Sequence, residues 1–274
     1  MSPALLHDFG FILLGLGVGA YGTLIGAGGG FVLMPVLLLL YPHDSPSLLT
    51  SISLAVVFFN AASGAQAYGR QGRIDYKSGL VFALAAVPGA VIGALSSNWV
   101  PRRVFDVIFG VILVAGALFL MVRRNGAASP ARGKPGLTHR RIVEHDGVVH
   151  EYDFRLRTGI IISLFVGYLS SFLGIGGGII HVPALVYILS FPVHVATATS
   201  HFILAIMALA GTLTHVATGV FVQGVHRTIY LALGAMVGAQ VGAQLSNHLK
   251  GRWIIQSLAV ALVFVGARIL YQAF

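Results

Sequence analysis

Hydrophobic residues in this chain gather into ten runs: roughly 8–26, 29–41, 48–68, 78–98 and 101–122, then 158–173, 177–190, 195–219, 228–248 and 252–273. Such runs are too long for barrel strands, which alternate in short segments. They read as helices in a bilayer, where a full crossing needs about 20 residues. The second run in each group of five is shorter than that, and each follows a glycine cluster. The clusters are "GTLIGAGGGFVLMP" at 22–35 and "SSFLGIGGGIIHVP" at 170–183. Several glycines together weaken a helix by about 1 kcal/mol each relative to alanine. The pattern therefore predicts that the first two helices of each group meet at a glycine break inside the membrane, as a re-entrant pair rather than two full crossings.

The two groups are copies. Gly26 matches Gly174, Gly28–Gly30 match Gly176–Gly178, and Pro35 matches Pro183, all at an offset of 148. Further on, Thr50-Ser51 aligns with Thr199-Ser200, and "GAVIGALSSN" (89–98) with "GAQVGAQLSN" (238–247), at an offset of 149. An odd number of crossings per copy predicts that the copies are inverted. The expected fold is an all-α polytopic membrane protein built from two inverted-topology repeats, 1–122 and 158–274. Between them, 123–157 is expected to be a cytoplasmic linker. Its "RRNGAASPARGKPG" reads as flexible, and "RIVEHDGVVHEYDF" alternates about Asp146-Gly147, the pair favoured in a two-residue hairpin turn. The alternation accounts for His145, His150, Glu144 and Glu151 as a solvated hairpin face, so no metal site is predicted there.

Composition supports the membrane assignment: 57% of the 274 residues are hydrophobic and 9% are charged, against about 25% charged in soluble domains. The net charge of +9 follows from loop placement. Thirteen of the 17 Lys and Arg residues fall in one set of loops (Arg70, Arg73, Lys77, eight in 123–157, Lys250 and Arg252), and four in the other. The positive-inside rule makes the first set cytoplasmic and puts both termini outside, in a bacterial-type cytoplasmic membrane. Arg102 and Arg103 lie on the outer side, with Asp106 spaced to pair with both. A basic surface interleaved with aromatics is lacking, so nucleic acid is not an expected partner; anionic membrane lipid is. The absence of cysteine excludes disulfides and thiolate metal sites. No basic region precedes the first run, so no cleavable signal peptide is expected.

Inverted repeats with interrupted helices characterise secondary transporters, whose sites lie near the midplane. A helix that begins inside the membrane leaves N–H groups without acceptors, and an anion can satisfy them with help from the helix dipole. Gly28, Gly29, Gly30, Gly176, Gly177 and Gly178 are therefore candidate binding residues, since glycine lets the backbone approach a ligand. Thr50, Ser51, Thr199 and Ser200 offer neutral hydroxyl donors; the competing reading is back-bonding to their own helix. Pro35 and Pro183, well inside the short helices, are candidate gating or helix-break positions. "GAVIGA" and "GAQVGA" read as helix-packing motifs. His181, His201 and His215 lie in second-half spans with no first-half counterpart. His201 is the strongest ligand candidate of the three, and histidine offers a route for coupling to protons. All eight acidic residues sit in loops or near helix ends, which argues against cation transport. No paired acid and base, ATPase motif or cofactor motif is evident, so neither enzymatic activity nor a cofactor is expected.

The duplicated GxGGG…P element, the Thr-Ser pair opening the next span, "GRID" at 72–75 and the hairpin linker together resemble the sulfite exporter TauE/SafE family, in the toluene sulfonate uptake permease superfamily. The resemblance runs over essentially the whole chain. It implies a permease for small sulfur-containing anions such as sulfite, thiosulfate, sulfoacetate or other sulfonates. The alternatives are an anion channel of the same architecture and a transporter of a non-sulfur organic anion.

Overall fold

The computed structural model describes residues 3–122, 136–249 and 251–273; the part of the linker read as flexible falls largely outside them. The first half contains α1 (Pro3–Leu24), α2 (Gly30–Leu40), α3 (Pro46–Gly69), α4 (Tyr76–Ser96) and α5 (Arg102–Val122). Strands β1 (Thr138–Val143) and β2 (Val149–Phe154) follow. The second half contains α6 (Leu156–Leu173), α7 (Gly178–Tyr187), α8 (Val193–Ala217), α9 (Val225–Leu245) and α10 (Gly251–Ala273), with 3-10 turns on either side of α9. Helices α3, α4, α6, α8 and the stretch Val220–His248 around α9 are long and apolar enough to cross a membrane. Their outward faces carry Leu84, Phe165 and Leu213, each more than half exposed, an exterior suited to lipid chains. This is a multi-pass helical membrane protein.

Local chemistry sets several boundaries. Ser45 accepts the Leu48 N–H at 3.3 Å and Pro46 opens α3, a side-chain cap followed by the residue best tolerated in a first turn. The Asp75 carboxylate accepts the Ser78 N–H at 3.0 Å and starts α4.

The most extensive helix packing joins the two halves: α1 lies on α9, α4 on α6, α3 on α8 and α5 on α10. Small residues make this possible. A Cβ added at Gly89 or Gly93 would strike the backbone of α6 at Leu164 or Tyr168, and one at Gly238 or Gly242 the backbone of α1 at Leu16 or Ala20. The GAVIGA and GAQVGA motifs thus pack helices, as expected.

Contacts at the helix ends show how the short helices run. Asp8 near the start of α1 lies 3.7 Å from His226, and Asp44 just beyond α2 binds Arg227 at 2.5 Å. Helix α1 therefore begins, and α2 ends, beside the start of α9. Arg227 also stacks over Tyr41 at 3.7 Å, and Arg102 donates to the carbonyls of Leu38 and Asp44 as well as to Asp106. In the second half, Phe191 beyond α7 packs against Tyr152 and Phe154, which lead into α6, with tilted rings. Each pair of helices thus enters and leaves the bundle at one end.

The hairpin turn differs from expectation. Glu144 N–H bonds to Val148 O and Gly147 N–H to Glu144 O, which leaves three residues, His145–Gly147, in the loop. Gly147 is left-handed with φ 87°, as in a type I turn closed by a glycine bulge. Nor do His145, His150, Glu144 and Glu151 form one solvated face: His145 and Glu151 are exposed, but Glu144 is buried, as are Tyr152 and Phe154.

Candidate functional site

At the centre of the bundle α1 and α6 stop at glycine junctions from which α2 and α7 start. Gly26, Gly28 and Gly29 have φ of 80°, 72° and 79°, and Gly174, Gly176 and Gly177 have 69°, 80° and 70°. Side chains with a Cβ adopt this left-handed region at a cost of about 1–2 kcal/mol per residue, so three such positions in each junction call for glycine. Gly29 and Gly177 are the N-caps of α2 and α7, and neither helix is capped by a side chain. The junctions touch each other through backbone. A Cβ at Gly30 would fall 2.7 Å from the Ile175 backbone, and one at Gly178 would fall on Gly26 and Ala27. Val57 and Leu204, from α3 and α8, close over Gly28, and Val57 also covers Gly176. The six candidate glycines are thus gathered at one closed, buried centre.

The hydroxyl candidates separate. Thr50 is fully buried beside Gly174, with no hydrogen-bond partner for its Oγ1. Ser200 donates to the Gly26 carbonyl at 3.1 Å. Ser51 instead bonds back to Leu48 O in its own helix at 2.7 Å, and Thr199 accepts the Asp75 N–H at 3.0 Å, away from the junctions. The reason is a register shift. Helix α7 is one residue shorter than α2, so Pro46 opening α3 corresponds to Val193 opening α8, 147 positions on. The structural counterpart of Thr50 is therefore Thr197, which lies beside Gly26 and is likewise buried without a partner for Oγ1. Ser200 corresponds to Ser53, which donates to the Gly174 carbonyl at 2.5 Å. Aligning Thr50-Ser51 with Thr199-Ser200 missed both Thr197 and Ser53.

Below the first junction, facing the N-terminus of α2, lies a bonded polar cluster. Thr23 Oγ1 donates to Asn60 Oδ1 at 3.3 Å and meets His201 Nε2 at 3.2 Å, while Tyr68 donates to the Thr23 carbonyl at 2.8 Å. Gly64 makes room for the imidazole. The corresponding place in the second half, facing the N-terminus of α7, holds Ser170, Ser171 and His215. All three are fully buried, and neither hydroxyl and neither ring nitrogen has a partner. His181 bonds to Ser163 at 3.0 Å behind α7. Pro35 and Pro183 occupy the sixth position of α2 and α7.

The end of the bundle below α4 is covered by the hairpin. Tyr152 donates to Asp75 Oδ2 at 3.0 Å, and Arg140 reaches Asp75 at 3.4 Å and Ser78 at 3.0 Å. Burial and the neighbouring carboxylate push the Tyr152 hydroxyl well above the ordinary tyrosine value, so it remains a donor. Beside it Glu144 is held by Arg73 at 2.5 Å and by His150 at 2.7 Å. Arg73 also reaches Asn247 beyond α9 at 2.7 Å. The "GRID" step thus anchors the hairpin to α3, α4 and α9.

A probable membrane transporter protein of Bacillus subtilis is 32% identical over 272 residues, covering 95% of this chain and 96% of that one. One from Methanocaldococcus jannaschii is 24% identical, covering 74% of this chain and 70% of its own. One from Xylella fastidiosa is 26% identical over 70% and 67%. No solved structure matches. The family profile described as Sulfite exporter TauE/SafE matches residues 11–269. With nearly its whole length matched, broken helices included, this chain belongs to the sulfite exporter TauE/SafE family of membrane transporters.

Proposed function

We propose that this protein is a secondary transporter that moves small sulfur-containing anions such as sulfite, thiosulfate or sulfonates across the cytoplasmic membrane by alternating access. One observation carries the reading: two glycine junctions start two buried helices back to back, without side-chain caps, beside the unpartnered hydroxyls of Thr50 and Thr197. Buried N–H and O–H groups without acceptors are costly; an anion between the junctions supplies acceptors, and both helix dipoles favour it. Gly28–Gly30, Gly176–Gly178, Thr50, Thr197, Ser200 and His201 form its shell in this reading. Ser51 and Thr199 support it from outside. Proton coupling would run through His201.

In the same reading the repeats are inverted. The α1–α2 pair opens toward the start of α9 and the α6–α7 pair toward the hairpin, which supports that arrangement. The moving bodies would then cross the boundary between the halves, since α1 is fastened to α9 and α4 to α6. The closed centre represents an occluded form. Residues 1–122 and 158–274 act as the repeats, 123–157 as the cytoplasmic linker, and both termini face outward.

The test is thermal stabilisation of the purified protein by sulfite, thiosulfate, sulfate, sulfoacetate, taurine and acetate. A ligand at 100 times its Kd adds about 2.7 kcal/mol to the stability, which a melting curve resolves. Stabilisation by sulfur oxyanions is expected. Stabilisation by acetate alone, or by none of them, overturns the reading.

A further inference from the structure

The two sides of the centre carry different polar groups in different states. On the α2 side Thr23, Asn60, His201 and Tyr68 bond to one another. On the α7 side the corresponding positions hold Ser171, Met207, Leu54 and His215. Gly211 shows the match: a Cβ there would meet Ser171 Oγ and Leu54, as one on Gly64 would meet Thr23 and His201. Ser171 and His215 have no partners, and neither does Ser170, whose Oγ lies 3.0 Å from where a Cβ on Gly177 would stand. Ser170 is thus aimed at the N-cap of α7. Gly211 and His215 lie one turn apart on α8.

We infer that the anion site is asymmetric and that Ser170, Ser171 and His215, with the N-terminus of α7, form an oxyanion-binding half-site that the α2 side lacks. This deepens, and rests on, the reading of the chain as an anion transporter. Two hydroxyls and an imidazole N–H present three neutral donors, and α7 adds the positive end of its dipole. A small oxyanion with several acceptor oxygens matches that set; an apolar ligand would leave every donor unpaired. Repulsion is also missing. The sequence contains no Asp or Glu after Asp153, so α6, α7, α8 and α9 are free of carboxylates. On the α2 side Thr23, His201 and Tyr68 are bonded to one another, and Asn60 Nδ2 and His201 Nδ1 are the side-chain atoms left without partners.

The experiment uses purified full-length protein and measures Kd for sulfite, thiosulfate, sulfate and sulfoacetate by titration calorimetry, together with the melting temperature without anion. Ser171→Ala and His215→Leu are each expected to weaken binding at least tenfold. Because these polar groups lack partners in the closed protein, removing them is expected to leave the anion-free melting temperature unchanged or higher. The double variant Ser170→Ala/Ser171→Ala serves if His215→Leu does not fold. Unchanged Kd in the variants, with wild-type binding intact, overturns the half-site and leaves the transporter reading standing. Weaker binding with a lowered anion-free melting temperature assigns these residues to packing and also overturns it. A wild-type protein that binds none of the four anions defeats both.

Discussion

Asp75 joins the hairpin to the bundle, and its removal should release the hairpin. The carboxylate is 2% exposed and has three partners: the Ser78 N–H at 3.0 Å, the Tyr152 hydroxyl at 3.0 Å and Arg140 at 3.4 Å. Asp75→Ala deletes a helix cap, worth about 1 kcal/mol. It also leaves the Tyr152 hydroxyl a buried donor without an acceptor, about 1–3 kcal/mol. Arg140 is about a quarter exposed, so its loss adds about 0–1 kcal/mol. The expected total is about 3 kcal/mol, applied where the hairpin meets α4. Asp75→Asn keeps a good cap and an acceptor oxygen, so it should cost about 1 kcal/mol. Trypsin cleavage at Arg140 and Arg141 provides the assay, because local opening governs proteolysis when reclosing is fast. At tenfold per 1.4 kcal/mol, Asp75→Ala should speed cleavage about a hundredfold, with Asp75→Asn well below it. Tyr152→Phe should couple to it: in the Asp75→Ala background its further effect should shrink, since the bond is already gone. Fully additive effects, or cleavage within threefold of wild type for Asp75→Ala, would refute the docking argument.

Other consequences follow from particular residues. The Tyr152 proton is held more tightly in the folded protein than in the unfolded chain, whose tyrosine value is 10.0. Its contribution is therefore fully present below pH 10 and is lost as pH rises further, so hairpin protection from trypsin should fall above about pH 10, and Tyr152→Phe should flatten that fall. Gly178→Ala drives a Cβ into the backbone of Gly26 and Ala27, whereas Gly147→Ala meets nothing within 4 Å. The first should prevent or severely weaken folding on a melting assay, and the second should cost about 1–2 kcal/mol for its left-handed φ alone. Asp146 is exposed at the hairpin tip of a chain without cysteine, so Asp146→Cys should react with an impermeant maleimide in inverted vesicles and not in intact cells; the reverse would invert the proposed topology.

What could be read in the sequence depended on how far apart the causes lie. The glycine junctions were legible because their constraint is local: consecutive left-handed residues call for glycine, and repetition 148 positions later removes chance. The hairpin was legible for the same reason, through Asp146-Gly147 between alternating stretches, although the three-residue loop was not, because two- and three-residue loops share that glycine. The docking of the hairpin was hidden. Arg73, Asp75, Glu144 and Tyr152 read as ordinary loop charges and strand residues until the fold brings positions about seventy apart into contact.

The candidate shell shows the sharper limit. A pair of hydroxyls repeated as Thr50-Ser51 and Thr199-Ser200 is a strong sequence match, yet a helix turns about 100° per residue, so an error of two residues rotates a side chain to another face. That rotation carries Thr199 to the start of α4 and brings Thr197 to the junction. The shift originates in one residue missing from α7, and the longer connection before α9 restores an offset of 149 by Gly89 and Gly238. An alignment anchored on the packing glycines therefore passes over the shifted helix without a visible gap. Helix α8 is also where the two halves diverge in chemistry, with His201 opposite Leu54 and His215 opposite Tyr68. A duplicated transporter needs the same backbone geometry on both sides of its centre, while its donors are free to differ. Repetition in the sequence therefore locates the glycine frame, and the departures from repetition mark where the two sides of the centre carry different polar groups.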